Sequence, residues 1–359
     1  MQLHPADHGR AWIEIDLEAV TRNARALSMR ARVPLLPMVK DDAYGLGAVP
    51  VARALEALDP WGYGVVTVAE GEELRGAGIG RRVLMTCPAE ANARTMHALR
   101  AAGITPSFGE PKAIRMWMMT GGGDWHLSVD TGMNYAGVRW DEVDTLAGEL
   151  GACPPSGAFT HFHSAELDDG SMEVQAQRFR DALDVLPTRP QVLHVENSAA
   201  IVRAASSEWT FVRPGAFIYG VARGGTMLPE PAVHLRARVV DIHDVPAGES
   251  VSYDATWTAT RPSRIATLGA GYATGCRRAL GNKGSAILHG RRVPVVGALT
   301  MNFTMVDVTG LACERGDVAT LIGADGDELI VVNDVAAASG LSPYEILTAL
   351  RSGVPRVYV

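Results

Sequence analysis

The sequence predicts an α/β fold: an N-terminal (β/α)8 TIM barrel followed by a mostly β C-terminal domain. Three observations carry that reading. Short apolar runs alternate with amphipathic segments at roughly 25 residues per unit through the first two thirds of the chain. Eight such runs precede residue 233, the number that closes a parallel barrel. Beyond it, apolar runs follow one another with few helical patterns between them. The expected units are 12–232 for the barrel and 233–359 for the β domain, with residues 1–11 expected to add to the latter.

The candidate barrel strands are 35–40, 63–68, 83–87, 105–108, 126–129, 157–162, 192–195 and 210–212. Leu17, Val20, Ala24 and Leu27 fall on one helical face, with Asp16 placed as the N-cap. Segments 91–99, 141–150 and 173–186 show the same period. In the second unit the expected strands are 235–240, 250–253, 265–268, 286–288, 294–296, 305–308 and 318–322. His289-Gly290-Arg291-Arg292 reads as a hairpin turn. Helices over 332–338 and 343–350 and a strand over 356–359 complete the pattern.

Composition narrows the class of function. The net charge of −7 contains no block of like charges, so nucleic acid is not an expected partner. The first ten residues lack a basic and apolar leader pattern, and no run of about 18 uncharged apolar residues suggests a membrane span. Cys87, Cys153, Cys276 and Cys313 are scattered without CxxC spacing, which fits a reducing cytoplasm.

Lys40 follows the apolar run Leu35-Leu36-Pro37-Met38-Val39 and precedes Asp41-Asp42-Ala43-Tyr44-Gly45. A lysine at a strand's end beside apolar walls loses its charge more readily than a surface lysine. Its neutral amine is the nucleophile that joins aldehydes such as pyridoxal phosphate. Most strand-end lysines are only solvated, so the reading needs the rest of the chain.

Nine stretches supply it. They are 39–45 (VKDDAYG), 129–133 (VDTGM), 160–162 (THF), 194–200 (HVENSAA), 212–215 (VRPG), 271–273 (GYA), 301–307 (MNFTMVD), 343–345 (PYE) and 354–358 (VPRVY). In order and spacing they resemble bacterial alanine racemase, over nearly the whole chain from about Trp12 onward. The resemblance implies an isomerase, a racemase that uses pyridoxal 5'-phosphate and two bases. Lys40 would hold the cofactor and serve as one base, and Tyr272 as the other. Two are needed because a planar carbanion must lose and regain its proton on opposite faces. A tyrosine has an ordinary pKa near 10, and His161 matches the histidine that supports it. Arg213 matches the arginine at the cofactor's ring nitrogen, with His194 behind it. An arginine stays protonated, which keeps that nitrogen unprotonated and limits the spread of carbanion charge into the ring. Tyr44, Asn197, Ser198, Gly215 and Tyr344 match phosphate-side residues, a role suited to hydroxyls and backbone N–H groups. The resemblance also implies a homodimer with shared sites, in which Tyr272 and Met301 come from the second subunit. The Met301 N–H would then bind the substrate carboxylate, with Asn302 behind it.

Several positions depart from the family pattern. Its arginine two residues past the motif methionine, which contacts the cofactor's phenolic oxygen and the substrate carboxylate, is Tyr135 here. Its lysine supporting that arginine is Ser128. Asn302 and Thr274 stand where the family has aspartates, Ala298 where it has an arginine, and Leu46 where it has a histidine. Loss of an arginine–carboxylate bond removes roughly 1.5–3 kcal/mol. The expected substrate is therefore an amino acid other than alanine, with Tyr135 as a substrate contact. An alternative is another reaction at Cα on the same scaffold, a retro-aldol or a decarboxylation. His161 and His163 share a strand face and could hold a metal with Glu166 or Asp168, although no metal is expected. A non-enzymatic cofactor carrier is the third reading. It would have no need of the β domain that carries Tyr272.

Overall fold

The computed structural model describes residues 9–204, 206–350 and 354–359. Six strands form one parallel sheet in the order Gly62–Val65, Arg82–Pro88, Ile104–Phe108, His126–Asp130, Gly157–Phe159 and Val192–His194. The sheet curls shut through residues 35–39 and 212–214. Met38 bridges Gly64, Leu35 bridges Val212, and Asn197 bridges Arg213, all parallel. The Leu36 N–H donates to Val212 O at 2.8 Å and the Arg213 N–H to Glu196 O at 2.8 Å. The first and eighth predicted strands are thus present as bridges rather than full ladders. Pro37 lies in the first, and Pro34 and Pro214 flank the two; proline has no N–H to give a ladder.

Helices pack outside this sheet. Leu17–Ala31 buries Ala19, Val20, Ala24 and Leu27 on the face the sequence predicts. Asp16 is its N-cap, with Oδ1 accepting the Ala19 N–H at 2.7 Å. The expected helix over 141–150 is instead a 3-10 turn, Val143–Leu146, running into a short helix, Ala147–Ala152.

The second sheet is built on the long strand Val233–Val245. It pairs antiparallel with Ala11–Ile15, Ser263–Leu268 and Val318–Asp325. Ala11–Ile15 also pairs parallel with Arg356–Tyr358, so segments from opposite ends of the sequence meet in one sheet. The expected pairing of residues 1–11 falls, for residues 1–8, outside the described residues. The hairpin Ser285–Leu288 and Arg291–Pro294 turns on His289 and Gly290, with φ of 52° and 69°. Two consecutive left-handed residues are what a type I′ turn requires, and they make the hairpin turn the sequence predicts. The expected strand over 250–253 is absent. Ser250 makes a single bridge to Thr258, and Ser252, Asp254 and Ala255 take φ of 68°, 62° and 45°. Such angles cannot continue an extended ladder.

Replacing Asp16 by Ala removes the cap of the first helix and should lower stability by about 1 kcal/mol. Urea unfolding would register this as a lower midpoint at unchanged slope, and an unchanged midpoint would show the cap to be idle.

Candidate active site

Lys40 stands where residues 35–39 leave the barrel. The Val39 N–H donates to Gly64 O at 2.9 Å, the Met38 N–H to Pro214 O at 2.8 Å, and Val39 is fully buried. The chain does not then run on as strand. Asp41, Asp42, Ala43 and Tyr44 take φ of 53°, 57°, 52° and 57°, a left-handed turn of four residues with side chains. Each such residue costs on the order of 1–2 kcal/mol, so the turn needs outside support. Glu70 provides it. Its carboxylate accepts the Asp41 N–H at 2.7 Å, the Val66 N–H at 2.8 Å and the Thr67 N–H at 3.1 Å. Asp42 adds a bond from the Ala48 N–H at 2.9 Å and an ion pair with Arg356 at 2.7 Å.

The turn brings the Tyr44 ring to 5.0 Å from Tyr219 and 6.1 Å from Tyr344, centre to centre. Tyr219 is anchored by its hydroxyl, which donates to Met38 O at 2.7 Å. A Cβ on Gly215 would lie 2.5 Å from the Tyr44 hydroxyl, so only glycine lets that hydroxyl approach the backbone. Ser198 Oγ accepts the Gly215 N–H at 2.9 Å. Asn197 caps the helix Ser198–Arg203 by accepting the Ala200 N–H at 3.1 Å. Tyr44, Asn197, Ser198, Gly215 and Tyr344 therefore gather along one side of a cavity of about 630 Å³ that also holds Lys40, His161 and Arg213.

Arg213 is buried and faces no carboxylate in hydrogen-bond range. Its NH1 donates to Nδ1 and the carbonyl of His194 at 2.6 and 2.8 Å. Its NH2 donates to Thr160 O at 2.7 Å, Val195 O at 3.0 Å and His161 Nδ1 at 3.2 Å. Among the described hydrogen bonds none uses its Nε–H. Burial lowers its pKa to about 9, so it remains a cation at neutral pH. His194 is fully buried between the rings of Phe159 and Phe211, at 4.8 and 4.4 Å. Burial and then Arg213 hold its pKa well below the ordinary value. His126 behind it is pushed down to about 3 by the same two causes. The His161 ring opens onto the cavity, with Arg213 and Lys40 beside it. Enclosure by protein on its other sides, and then these two cations, lower its pKa.

Cys87, Ser128, Met133 and Tyr135 also line the cavity. Ser128 is buried and Tyr135 is exposed. A Cβ on Gly137 would stand 2.9 Å from Ser128 Oγ, so the serine is packed against that glycine. Arg223 pairs with Glu166 and its guanidinium carbon sits 5.8 Å from the Tyr344 ring centre. His163 bonds to Ser164 Oγ at 2.7 Å. Among the described residues no three His, Cys, Asp or Glu side chains gather as a metal site.

Tyr272, Met301 and Asn302 do not line this cavity. They form one unit on the β domain. The Tyr272 N–H donates to Thr300 O at 3.1 Å and the Ala273 N–H to Met301 O at 2.9 Å. Any Cβ on Gly271 would fall 2.4 Å from Thr300 O. Thr274 closes the Tyr272 turn, its Oγ accepting the Gly271 N–H at 2.9 Å. Tyr272 and Met301 are 46% and 54% exposed, high values for large apolar side chains. Ala298 and Leu46 are buried.

Glu70, His126, Arg223 and the Asp42–Arg356 pair escape a reading of motifs. Glu70 had a signal, since Thr67-x-x-Glu70 is a capping box. The others have none, because their partners lie far away in sequence.

The chain matches two family models, that of the alanine racemase N-terminal domain over residues 15–223 and that of the C-terminal domain over 232–358. The alanine racemase of Symbiobacterium thermophilum is 36% identical, aligning 97% of this chain with 96% of its own. That of Methylacidiphilum infernorum is 34% identical over 98% and 93% of the two chains. Among solved structures, alanine racemase from Streptomyces coelicolor superposes with a TM-score of 0.90 at 31% identity, covering 99% of each chain. The Bartonella henselae enzyme, described with covalently bound pyridoxal phosphate, gives 0.88 at 27% identity over 98% and 100%.

Two outcomes follow from this geometry. Glu70→Ala should cost about 2 kcal/mol of stability, since two or more amides lose a charged acceptor, and Glu70→Gln less. Equal losses in denaturant midpoints would sink the idea that the charge supports the turn. His126 and His194 stay neutral in the folded state but take up protons near pH 6.5 when unfolded. Stability should therefore fall as pH drops from about 6.5 toward 3. His126→Asn should make that fall shallower by up to about 1.4 kcal/mol per pH unit, one proton's worth. An unaltered pH profile of urea midpoints would refute this.

Proposed function

The chain belongs to the alanine racemase family, and from that premise we propose that it interconverts the enantiomers of an amino acid with pyridoxal 5'-phosphate at Lys40. It is an isomerase of the pyridoxal-phosphate-dependent kind. One observation carries the site assignment: Lys40, Arg213 and a row of hydroxyls and amides face a single cavity. Their chemistry fits the cofactor's aldehyde, ring nitrogen and phosphate. The close approach of the Tyr44 hydroxyl to Gly215 is a cradle that any Cβ would fill.

Lys40 would hold the cofactor through its amine, and Tyr44, Ser198, Gly215 and Tyr344 would hold the phosphate. Arg213 would face the ring nitrogen as a cation. The bound cofactor supplies an electron-withdrawing ring that eases loss of the Cα proton. Lys40 moves that proton on one face. Tyr272 of a second copy moves it on the other, which makes a homodimer with shared sites the working unit. Met301 of that copy offers its N–H to the substrate carboxylate. The exposure of Tyr272 and Met301, tied together yet outside this chain's own cavity, supports the shared arrangement.

The substrate is an amino acid whose carboxylate is held without the family's arginine. At that place Tyr135 gives one neutral hydrogen bond in place of a charged fork, and Ser128 is packed against Gly137. Alanine, with only a methyl group to add contacts, should be turned over poorly compared with amino acids bearing larger or polar side chains.

Borohydride reduction of the yellow protein should leave the pyridoxyl group on Lys40 in a peptide map; a label on another lysine would overturn the assignment. Lys40→Ala and Tyr272→Phe proteins should each be inactive and regain partial activity when unfolded and reassociated together. Persistent inactivity of the mixture would defeat the shared site. Cα exchange in D₂O with inversion would then rank substrates. A kcat/KM for alanine of about 10⁴ M⁻¹s⁻¹ or more, above every other amino acid, would refute the substrate reading.

A further inference from the structure

We propose that His126 is a positioning residue: by accepting the Nε2–H of His194 it locks the ring setting in which Nδ1 faces Arg213, and so fixes how Arg213 is presented to the cavity. The inference rests, for its consequence, on the reading that Arg213 meets the cofactor ring.

A guanidinium has donors only. His194 Nδ1, 2.6 Å from Arg213 NH1, must therefore accept. A neutral imidazole carries one N–H, so the His194 proton is on Nε2. That nitrogen is 2.7 Å from His126 Nδ1, which must accept in its turn and leaves the His126 proton on Nε2. Every donor in the chain Arg213→His194→His126 thus points away from the cation. A second proton on His194 would set an N–H against the guanidinium's own, inside a buried site.

The surroundings are built for this arrangement. Phe159 and Phe211 lie against both faces of the His194 ring, with interplanar angles of 12° and 20°. They permit a half-turn of the ring about its own axis but no tilt. A half-turn would put a carbon opposite Arg213, and only the His126 acceptor distinguishes the two settings at the far edge. A Cβ on Gly157 would lie 2.6 Å from His126 Cε1 and Nε2. Glycine there does not serve the backbone, since it sits within the strand Gly157–Phe159 without a positive φ. It makes space for the imidazole. Trp61 flanks the same ring at 6.0 Å between centres, so His126 is enclosed as well as bonded.

Asparagine places its Oδ1 where histidine has Nδ1, so it can accept from His194, whereas leucine fills similar space and accepts nothing. Long-range ¹H–¹⁵N correlation on the cofactor-free protein should show His126 and His194 as neutral Nε2–H tautomers throughout about pH 5.5–8.5. In His126→Leu the His194 signals should shift toward mixed ring settings. The dissociation constant for pyridoxal 5'-phosphate, read from absorbance titration, should rise about tenfold. His126→Asn should restore both, to within about twofold for binding. A proton on His194 Nδ1, titration of either ring in that range, or identical behaviour of the Leu and Asn variants would overturn the proposal. Should the Leu variant fail to fold, His126→Phe, which keeps a ring but accepts nothing, takes its place in both measurements. Should no cofactor bind at all, the reading of function falls while the tautomers remain a test of this one.

Discussion

A buried cation with no carboxylate in hydrogen-bond range organises the barrel. Arg213 is buried, and an isolated charge there costs several kcal/mol unless its protons are taken up. The carbonyls of Thr160, His194 and Val195 turn inward to do so, together with two imidazoles. These acceptors come from the ends of the strands Gly157–Phe159 and Val192–His194. The carbonyls at these strand ends are spent on the guanidinium. Phe159 gives its face to the same cation, 5.3 Å from the ring centre. A carboxylate would have held the charge more simply. Neutral acceptors leave the positive charge available to whatever enters the cavity.

The lysine side of the cavity obeys a different constraint. Four residues with side chains sit in left-handed backbone, held by Glu70, Asp42 and Arg356. The strain is local, and its support includes two distant parts of the chain, at Glu70 and at Arg356. Such over-determined backbone is typical of sites where a side chain must be aimed and not merely placed. Tyr44, at the end of this turn, lies against Tyr219, whose hydroxyl grips Met38 on the strand that leads to Lys40.

Much of this was legible in the sequence, and unevenly. Period and turn chemistry placed the helix Leu17–Ala31 with its Asp16 cap and the His289-Gly290 hairpin, because those signals are local. The first and eighth barrel segments were legible as apolar runs, yet their prolines reduce them to bridges. Segment 250–253 looked like a strand by composition and is not one, since positive φ at Ser252 and beyond bends it away. Residue motifs singled out Lys40, Arg213, His194 and the hydroxyls of Tyr44, Ser198 and Tyr344, which the structure gathers at one cavity or directly behind it. They could not reveal that His126 stands behind His194 or that Arg356 steadies Asp42. Those are contacts across 68 and 314 residues, and no local pattern encodes them.

That last contact also sets an order of events during synthesis. Arg356 and Tyr358 fasten Asp42 and the carbonyl of Leu46, and both belong to the strand that flanks Ala11–Ile15. A ribosome adding about 5–20 residues per second takes on the order of tens of seconds to travel from Asp42 to Arg356. For that interval the turn that carries Lys40 lacks one of its clamps, and it is complete only when the distant strand has arrived.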